Sequence, residues 1–318
     1  MITIAVSVEK GGNAKSTTAV HLAHILAISG HRVLLIDADQ NSHCAFLLGL
    51  EGSKDTARLF NPDNDFDRTG IMALTRSAHR EAQDIPNADG SVTRIRPIWR
   101  DRLRVITSSR GSIISSRQYL ALQSSNEEAG ELTYHLTKQL AKIDDDFDFC
   151  IIDCPPGIDL FQRNIINAAN IFVIPCTFGA ADITGAETYI LAVDKALGES
   201  AVNETAKDCC IVLPTKQVAS NTNRNLLAAA SAKFKSDYGV RTAATAIPER
   251  EVVRRASEFG ITCFERAAMS RPDTPGRFTP AVTNDNEVAE AYTAFAMEVK
   301  LIGGQPSRID GQEVANVA

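Results

Sequence analysis

The chain has 318 residues, 33 Lys and Arg against 39 Asp and Glu for a formal charge of −6, and 44% hydrophobic residues. That balance excludes a disordered chain and a surface that is basic throughout. Seven cysteines scattered at positions 44, 150, 154, 176, 209, 210 and 263 form neither an even disulfide framework nor a paired Cys-x-x-Cys metal site, which favours a reducing, cytoplasmic compartment.

In chain order, residues 2–6 form a short apolar run that predicts a strand. It starts at once, so no signal peptide is expected, and no apolar run reaches the ~20 residues a bilayer-spanning helix requires. Residues 9–18, Glu-Lys-Gly-Gly-Asn-Ala-Lys-Ser-Thr-Thr, precede the helical pattern of residues 19–26. Strand, glycine loop, then helix with Lys-Ser at its start is the arrangement that cradles a nucleoside triphosphate. Gly11 and Gly12 let the backbone approach phosphate, and the open N–H groups of the helix face the anion. Lys15 supplies a mobile cation and Ser16 a hydroxyl for Mg²⁺. Two departures stand out: Glu9 occupies the position of the first expected glycine, and Ala14 replaces the glycine before the lysine. If Ala14 needs positive φ, its Cβ costs roughly 1–2 kcal/mol, enough to weaken ATP affinity about tenfold.

Gly30 closes the helix, and residues 32–39 read as a buried parallel strand delivering Asp37 and Asp39 at its end. Residues 51–100 are the least regular stretch, with turn clusters at 61–65 and 86–90 and a short helix between them. Leu103–Ile106 predicts a strand, and residues 127–142 an amphipathic helix with Leu132, Leu136 and Leu140 on one face. The series Arg94, Arg96, Arg100, Arg102, Arg104, with the lone Trp99, reads as a solvated edge, with a phosphate-binding surface as the alternative. Residues 148–157 are another buried strand, ending in Asp153 and a rigid Pro155-Pro156 turn, and residues 171–175 another. From 216 to 280 there are eleven Lys and Arg against six Asp and Glu, and from 281 to 318 two against six. That asymmetry offers a basic face late in the fold, suited to phosphate contacts that hold DNA without reading its sequence.

The loop Lys10-Gly11-Gly12-Asn13-Ala14-Lys15-Ser16 resembles the deviant phosphate loop of the ParA/MinD family of ATPases, with Lys10 as the extra lysine. The Asp37–Asp39 strand end, the Asp153-Cys154-Pro155-Pro156 segment and residues 245–256 resemble that family's later motifs, so the likeness runs from residue 2 to about 302. It implies a P-loop α/β fold: a doubly wound, mostly parallel sheet with helices on both faces. It implies one ATPase domain over 1–302, with 51–100 as a less regular insertion and 303–318 as a flexible tail. It implies ATP and Mg²⁺ as cofactors, with nucleotide held by Gly11, Gly12, Asn13, Ala14, Lys15, Ser16, Thr17, Pro214, Thr215 and Pro248. Lys10, Lys15 and Asp39 become the catalytic residues, Asp39 positioning the attacking water and Lys10 reaching into a partner's site. Ser16 becomes the metal ligand, with Asp153 and Asp37 acting on the metal through water.

The resemblance also implies an ATP-sandwich homodimer, nonspecific binding of double-stranded DNA and a ParB-like centromere-binding protein that stimulates hydrolysis; by their placement on the late basic face, Arg224, Arg254, Arg255 and Arg241, with Lys233 and Lys235 next, are the candidate DNA contacts. Plasmid or chromosome partitioning, in a cytoplasmic, nucleoid-associated protein, is the function this implies. Two alternatives stay open: a MinD-like membrane-associated positioning ATPase, disfavoured because residues 303–311 are a glycine-proline tail rather than a basic amphipathic helix, and a metal-cluster or electron-transfer ATPase of the same superfamily.

Overall fold

The computed structural model describes residues 1–86, 92–95, 97, 100–123, 129–199, 205–269 and 286–301. Trp99, Arg96 and the 303–318 tail lie outside them. The strands are β1 (Ile2–Val6), β2 (Val33–Asp37), β3 (Arg76–Ser77), β4 (Gln83–Pro86), β5 (Val92–Ile95), β6 (Leu103–Ile106), β7 (Phe149–Asp153), β8 (Ile171–Cys176), β9 (Cys210–Pro214) and β10 (Arg241–Thr242). The first seven helices are α1 (Lys15–Ile28), α2 (His43–Leu48), α3 (Asp55–Leu59), α4 (Arg68–Leu74), α5 (Arg110–Gln123), α6 (Ala129–Leu132) and α7 (His135–Ala141). After them come α8 (Leu160–Ala168), α9 (Ala180–Gly198), α10 (Ala206–Cys209), α11 (Asn221–Tyr238), α12 (Glu251–Glu258), α13 (Cys263–Met269) and α14 (Glu287–Glu298).

Eight strands form one sheet in the order β10-β9-β8-β1-β7-β2-β6-β3, parallel throughout except for the antiparallel edge pair β3–β6, while β4 and β5 make a separate hairpin. Strands β2, β7 and β8 are buried along their whole length, as a sheet covered on both faces requires. Alternate side chains feed two cores. Ala5, Leu34, Ile36 and Ile152 pack with residues of α5, α7, α8, α9 and α11 on one face. Ile4, Val6, Leu35 and Ile151 pack with α1, α2, α12, α13 and α14 on the other. Each fully buried Leu or Ile stabilises this sandwich by roughly 1.5–3 kcal/mol relative to exposure.

Three expectations differ from the structure. The helix expected over 127–142 is broken into α6 and α7, with 127 and 128 outside the described residues. The Thr133 hydroxyl donates to the Gly130 carbonyl at 2.7 Å, and the Tyr134 N–H bonds back only three residues, to Glu131. These local bonds compete with a continuous helical ladder. Residues 245–256, which resemble the family's late strand, proline turn and helix, show in place of the strand only a bridge between Gln217 and Pro248, with β10 lying earlier. The Glu298 carboxylate takes the N–H groups of Ala244 and Thr245 at 2.8 and 2.9 Å, so that of Ile247 is left to bond β9 at Pro214. The arginine series is not one surface. Arg100 is fully buried against Glu265, and Arg104 donates to Thr75.

Candidate functional site

The loop between β1 and α1 adopts the backbone that its composition anticipates. Gly12 has φ +90°, and Ala14 sits in the left-handed region at φ 64° and ψ 29° as the N-cap of α1. Ala14 offers no side-chain oxygen to cap the helix, so the first N–H groups of this fourteen-residue helix stay open toward an anion. The Cβ of Ala14 is the strained atom, and Ala14→Gly is expected to tighten ATP binding severalfold, up to about tenfold, in calorimetric titration.

Lys15 is buried, with 7% exposure, whereas the Lys10 side chain is 47% exposed. Asn13 is buried too, and its carbonyl accepts a hydrogen bond from Thr215 at 3.2 Å, which joins the loop to the end of β9. The Ile247 N–H donates to the Pro214 carbonyl at 2.8 Å, which brings Pro248 beside Pro214 and Thr215 next to the loop.

Strand register brings the carboxylates together. Asp153 at the end of β7 is paired across to Asp37 on β2 and to Val6 on β1, so both acids stand beside the start of the loop. Both are fully buried. Burial, first of all, and then the neighbouring Asp153 charge push the Asp37 carboxyl well above its ordinary range. Burial likewise pushes Asp153 up to about 7, against the pull of the adjacent Ser16 hydroxyl and Lys15 ammonium. Each acid keeps one oxygen without a hydrogen-bond partner among the described residues, Asp37 Oδ1 and Asp153 Oδ1, and a buried orphan carboxylate oxygen is costly unless a cation satisfies it. With the Ser16 hydroxyl alongside, this donor set fits Mg²⁺ on a bound triphosphate. Asp39 is also buried, its Oδ1 accepting from the backbone and side-chain amides of Asn41 at 2.8 and 2.9 Å.

Sequence reasoning passed over three residues here. Asp182, in the first turn of α9, forms an ion pair with Lys10 at 2.8 Å and accepts from the Thr177 hydroxyl. Although burial opposes it, these donors draw the Asp182 carboxyl below its ordinary range. Gly185, one turn on, lets α9 approach the loop: a Cβ there would lie 3.3 Å from the Lys10 Cβ. Cys44, from α2, donates its thiol to Asp153 Oδ2 at 3.3 Å.

The cations assigned to DNA are scattered among acidic partners. Arg254 and Arg255 on α12 both pair with Glu251, and Arg254 also with Glu258. Arg241 pairs with Glu298 at 3.6 Å, and Lys233 with Glu187. Arg224, near the start of α11, bonds to the Asn221 side chain and has no carboxylate partner among the described residues.

Residues 1–205 match the family model described as the AAA domain. A curated relative, the maintenance of carboxysome distribution protein A of Synechococcus elongatus, is 30% identical over 55% of this chain and 58% of its own length. The chain thus spans little more than half of that relative. The chromosome partitioning protein ParA of Caulobacter vibrioides is 24% identical over 81% of this chain and 84% of its own. Among solved structures, the ATP complex of a Cyanothece McdA variant superposes with a TM-score of 0.66 at 19% identity, covering 94% of this chain and 96% of that one.

Proposed function

For a chain that belongs to the AAA domain family and, within it, to the ParA/MinD group of ATPases, we propose the role of an ATP-driven partitioning protein that dimerises around nucleotide and binds DNA without sequence preference. The observation that carries this reading is the divergence of the two loop lysines. Lys15 is enclosed in the phosphate cradle of its own chain, while Lys10 stands half exposed outside it. A second, outward lysine beside a phosphate loop has no use in binding the chain's own nucleotide, and it suits the neutralisation of phosphoryl charge across a dimer seam.

In this reading the loop from Gly11 to Thr17 holds the phosphates, with Lys15 on the β and γ groups. Ser16, and Asp153 through water, hold Mg²⁺, which when bound neutralises charge developing on the phosphoryl oxygens. Asp39 orients the attacking water. Lys10 of a second copy completes the charge balance, so turnover depends on dimerisation. A ParB-like protein then accelerates hydrolysis, and Arg224 leads the DNA contacts, with Arg254, Arg255 and Arg241 exchanging carboxylate partners for phosphates. The likeness to a carboxysome distribution protein extends the class of cargo from a DNA element to a protein assembly.

DNA retention with ATP, with ADP and without nucleotide, at 50 and 200 mM salt, tests the proposal. Binding only with ATP, weakened about a hundredfold or more at the higher salt, is the expected outcome for a dimer with several phosphate contacts. Retention indifferent to nucleotide overturns it. Metal binding carries a pH signature as well. Asp153 holds a proton up to about pH 7 that the unfolded chain releases near its ordinary pKa of 3.8. The metal-free protein therefore loses stability as pH rises through that window. Mg²⁺ must displace the proton, so its apparent affinity in the ATP complex rises from pH 6 to pH 8 with proton release, which calorimetry in two buffers of different ionisation enthalpy measures.

The metal-cluster alternative meets an obstacle, since all seven cysteines are buried whereas a cluster bridging two subunits needs thiols at the surface. Among the described residues no helix is long and apolar enough to cross a bilayer, and the tail on which a peripheral, MinD-like attachment turns lies outside them.

A further inference from the structure

We propose that Asp37, Cys44 and Asp153 form a binding site for a thiophilic divalent cation of the zinc class, distinct in its donors from the hydroxyl, carboxylate and phosphate set that suits Mg²⁺. One ligand atom from each of the three residues lies within 4.8 Å of the others, and all three side chains are buried. One observation beyond this juxtaposition points to a cation there. The carboxylates each carry a buried oxygen, Oδ1 of Asp37 and of Asp153, without a hydrogen-bond partner among the described residues. The Cys44 thiol, packed in the core beneath α1, lies against the same site and donates to Asp153 Oδ2 at 3.3 Å.

The chemistry of the donors selects the ion. Hard Mg²⁺ takes oxygen and avoids sulfur, whereas Zn²⁺ and Cd²⁺ accept thiolate and carboxylate together. Zinc bonds of about 2.0–2.3 Å in tetrahedral geometry place ligand atoms about 3.5 Å apart, so the three residues close in by about 1 Å and leave a fourth position for water. On binding, the Cys44 thiol gives its proton to the buffer, and so does whichever carboxyl holds one. Three anionic ligands then surround two positive charges, and the Lys15 ammonium beside Asp153 offsets the surplus. Because Asp153 belongs to both donor sets, the soft cation and the nucleotide-bound magnesium exclude one another. The site thereby gives the phosphate pocket a sensitivity to zinc-class metals independent of DNA or dimerisation.

The test uses the full-length, nucleotide-free protein titrated with Cd²⁺ and followed by thiolate-to-cadmium charge-transfer absorption, with Zn²⁺ added as competitor. One Cd²⁺ per chain is expected. The absorption should disappear in both Cys44→Ser and Cys44→Ala, so a folding failure in one leaves the other to decide. Asp37→Asn should keep the absorption while weakening affinity at least about tenfold. Loading the protein with Mg²⁺ and ATP should suppress the signal. No absorption in the parent protein, or absorption of equal strength in both Cys44 variants, overturns the assignment. Neither result bears on the partitioning role, which is read from DNA retention.

Discussion

Lys10→Ala lowers ATP turnover by about three orders of magnitude or more, the scale at which a charge donated in trans acts on phosphoryl transfer, while nucleotide affinity changes little. Single-turnover hydrolysis and calorimetric ATP binding measure the two effects separately. The expectation follows from placement: Lys15, buried at the helix start, remains to hold the β and γ phosphates, and the exposed Lys10 is absent from that set. A lysine acting within its own site would lose binding and turnover together. One acting across a seam loses turnover alone, and mixing the variant with a chain that keeps Lys10 but cannot bind ATP restores turnover at the variant's own site. An unaltered rate in Lys10→Ala removes the basis for the proposed mechanism.

Asp182 refines that prediction. In the isolated chain it holds Lys10 at 2.8 Å, and Thr177 fixes the carboxylate in place. With the Lys10 side chain about half exposed, the pair is partly screened, and comparable pairs contribute about 1 kcal/mol or less. That is too little to prevent Lys10 from moving to a triphosphate carrying several negative charges, and enough to park it when none is present.

How much of this was legible in the sequence divides along contact distance. The buried strands announce themselves as continuous apolar runs, and Asp37 and Asp153 stand at strand ends because the runs stop there. The phosphate loop is local, so its glycines, its lysines and the strained Ala14 could be read in order. Cys44 meets Asp153 across 109 residues, and Lys10 meets Asp182 only because β8 lies beside β1 and α9 follows it. Periodicity and spacing carry no information about such pairs, since the sheet order decides them. The arginine series shows the same limit: Arg100 sits among charged neighbours in sequence, yet its carboxylate partner is 165 residues away.

That buried pair carries the second large expected effect. Glu265→Ala destabilises the protein by about 3–5 kcal/mol, because it leaves a guanidinium in the interior without its counter-charge. Both side chains are fully buried, with Arg100 Nε and Nη2 donating to the two Glu265 oxygens at 2.8 and 2.7 Å. Arg100 also donates to the carbonyls of Leu48, Ala78 and Gly260, so it ties α2, β3 and the α12–α13 turn into one polar joint. The joint reaches the nucleotide helix. His24 of α1 bonds to Thr262 at 2.8 Å, the Thr262 N–H donates to Glu265, and the Cys263 N–H donates to His21. His21, whose pKa burial lowers to about 4, stays neutral and accepts that bond. Burial opposes ionisation of Glu265, but His24 and Arg100 outweigh it and hold the carboxyl below its ordinary 4.5. Its stabilising contribution is therefore complete above pH 4.5 and is lost as pH falls through the depressed value. Denaturant titration of Glu265→Ala against the parent at pH 7 reads the cost. Replacing Arg100 and Glu265 together by apolar residues of similar volume should recover only part of it, because the orphaned charge is gone but the carbonyls of Leu48, Ala78 and Gly260 and the Thr262 N–H lose these partners.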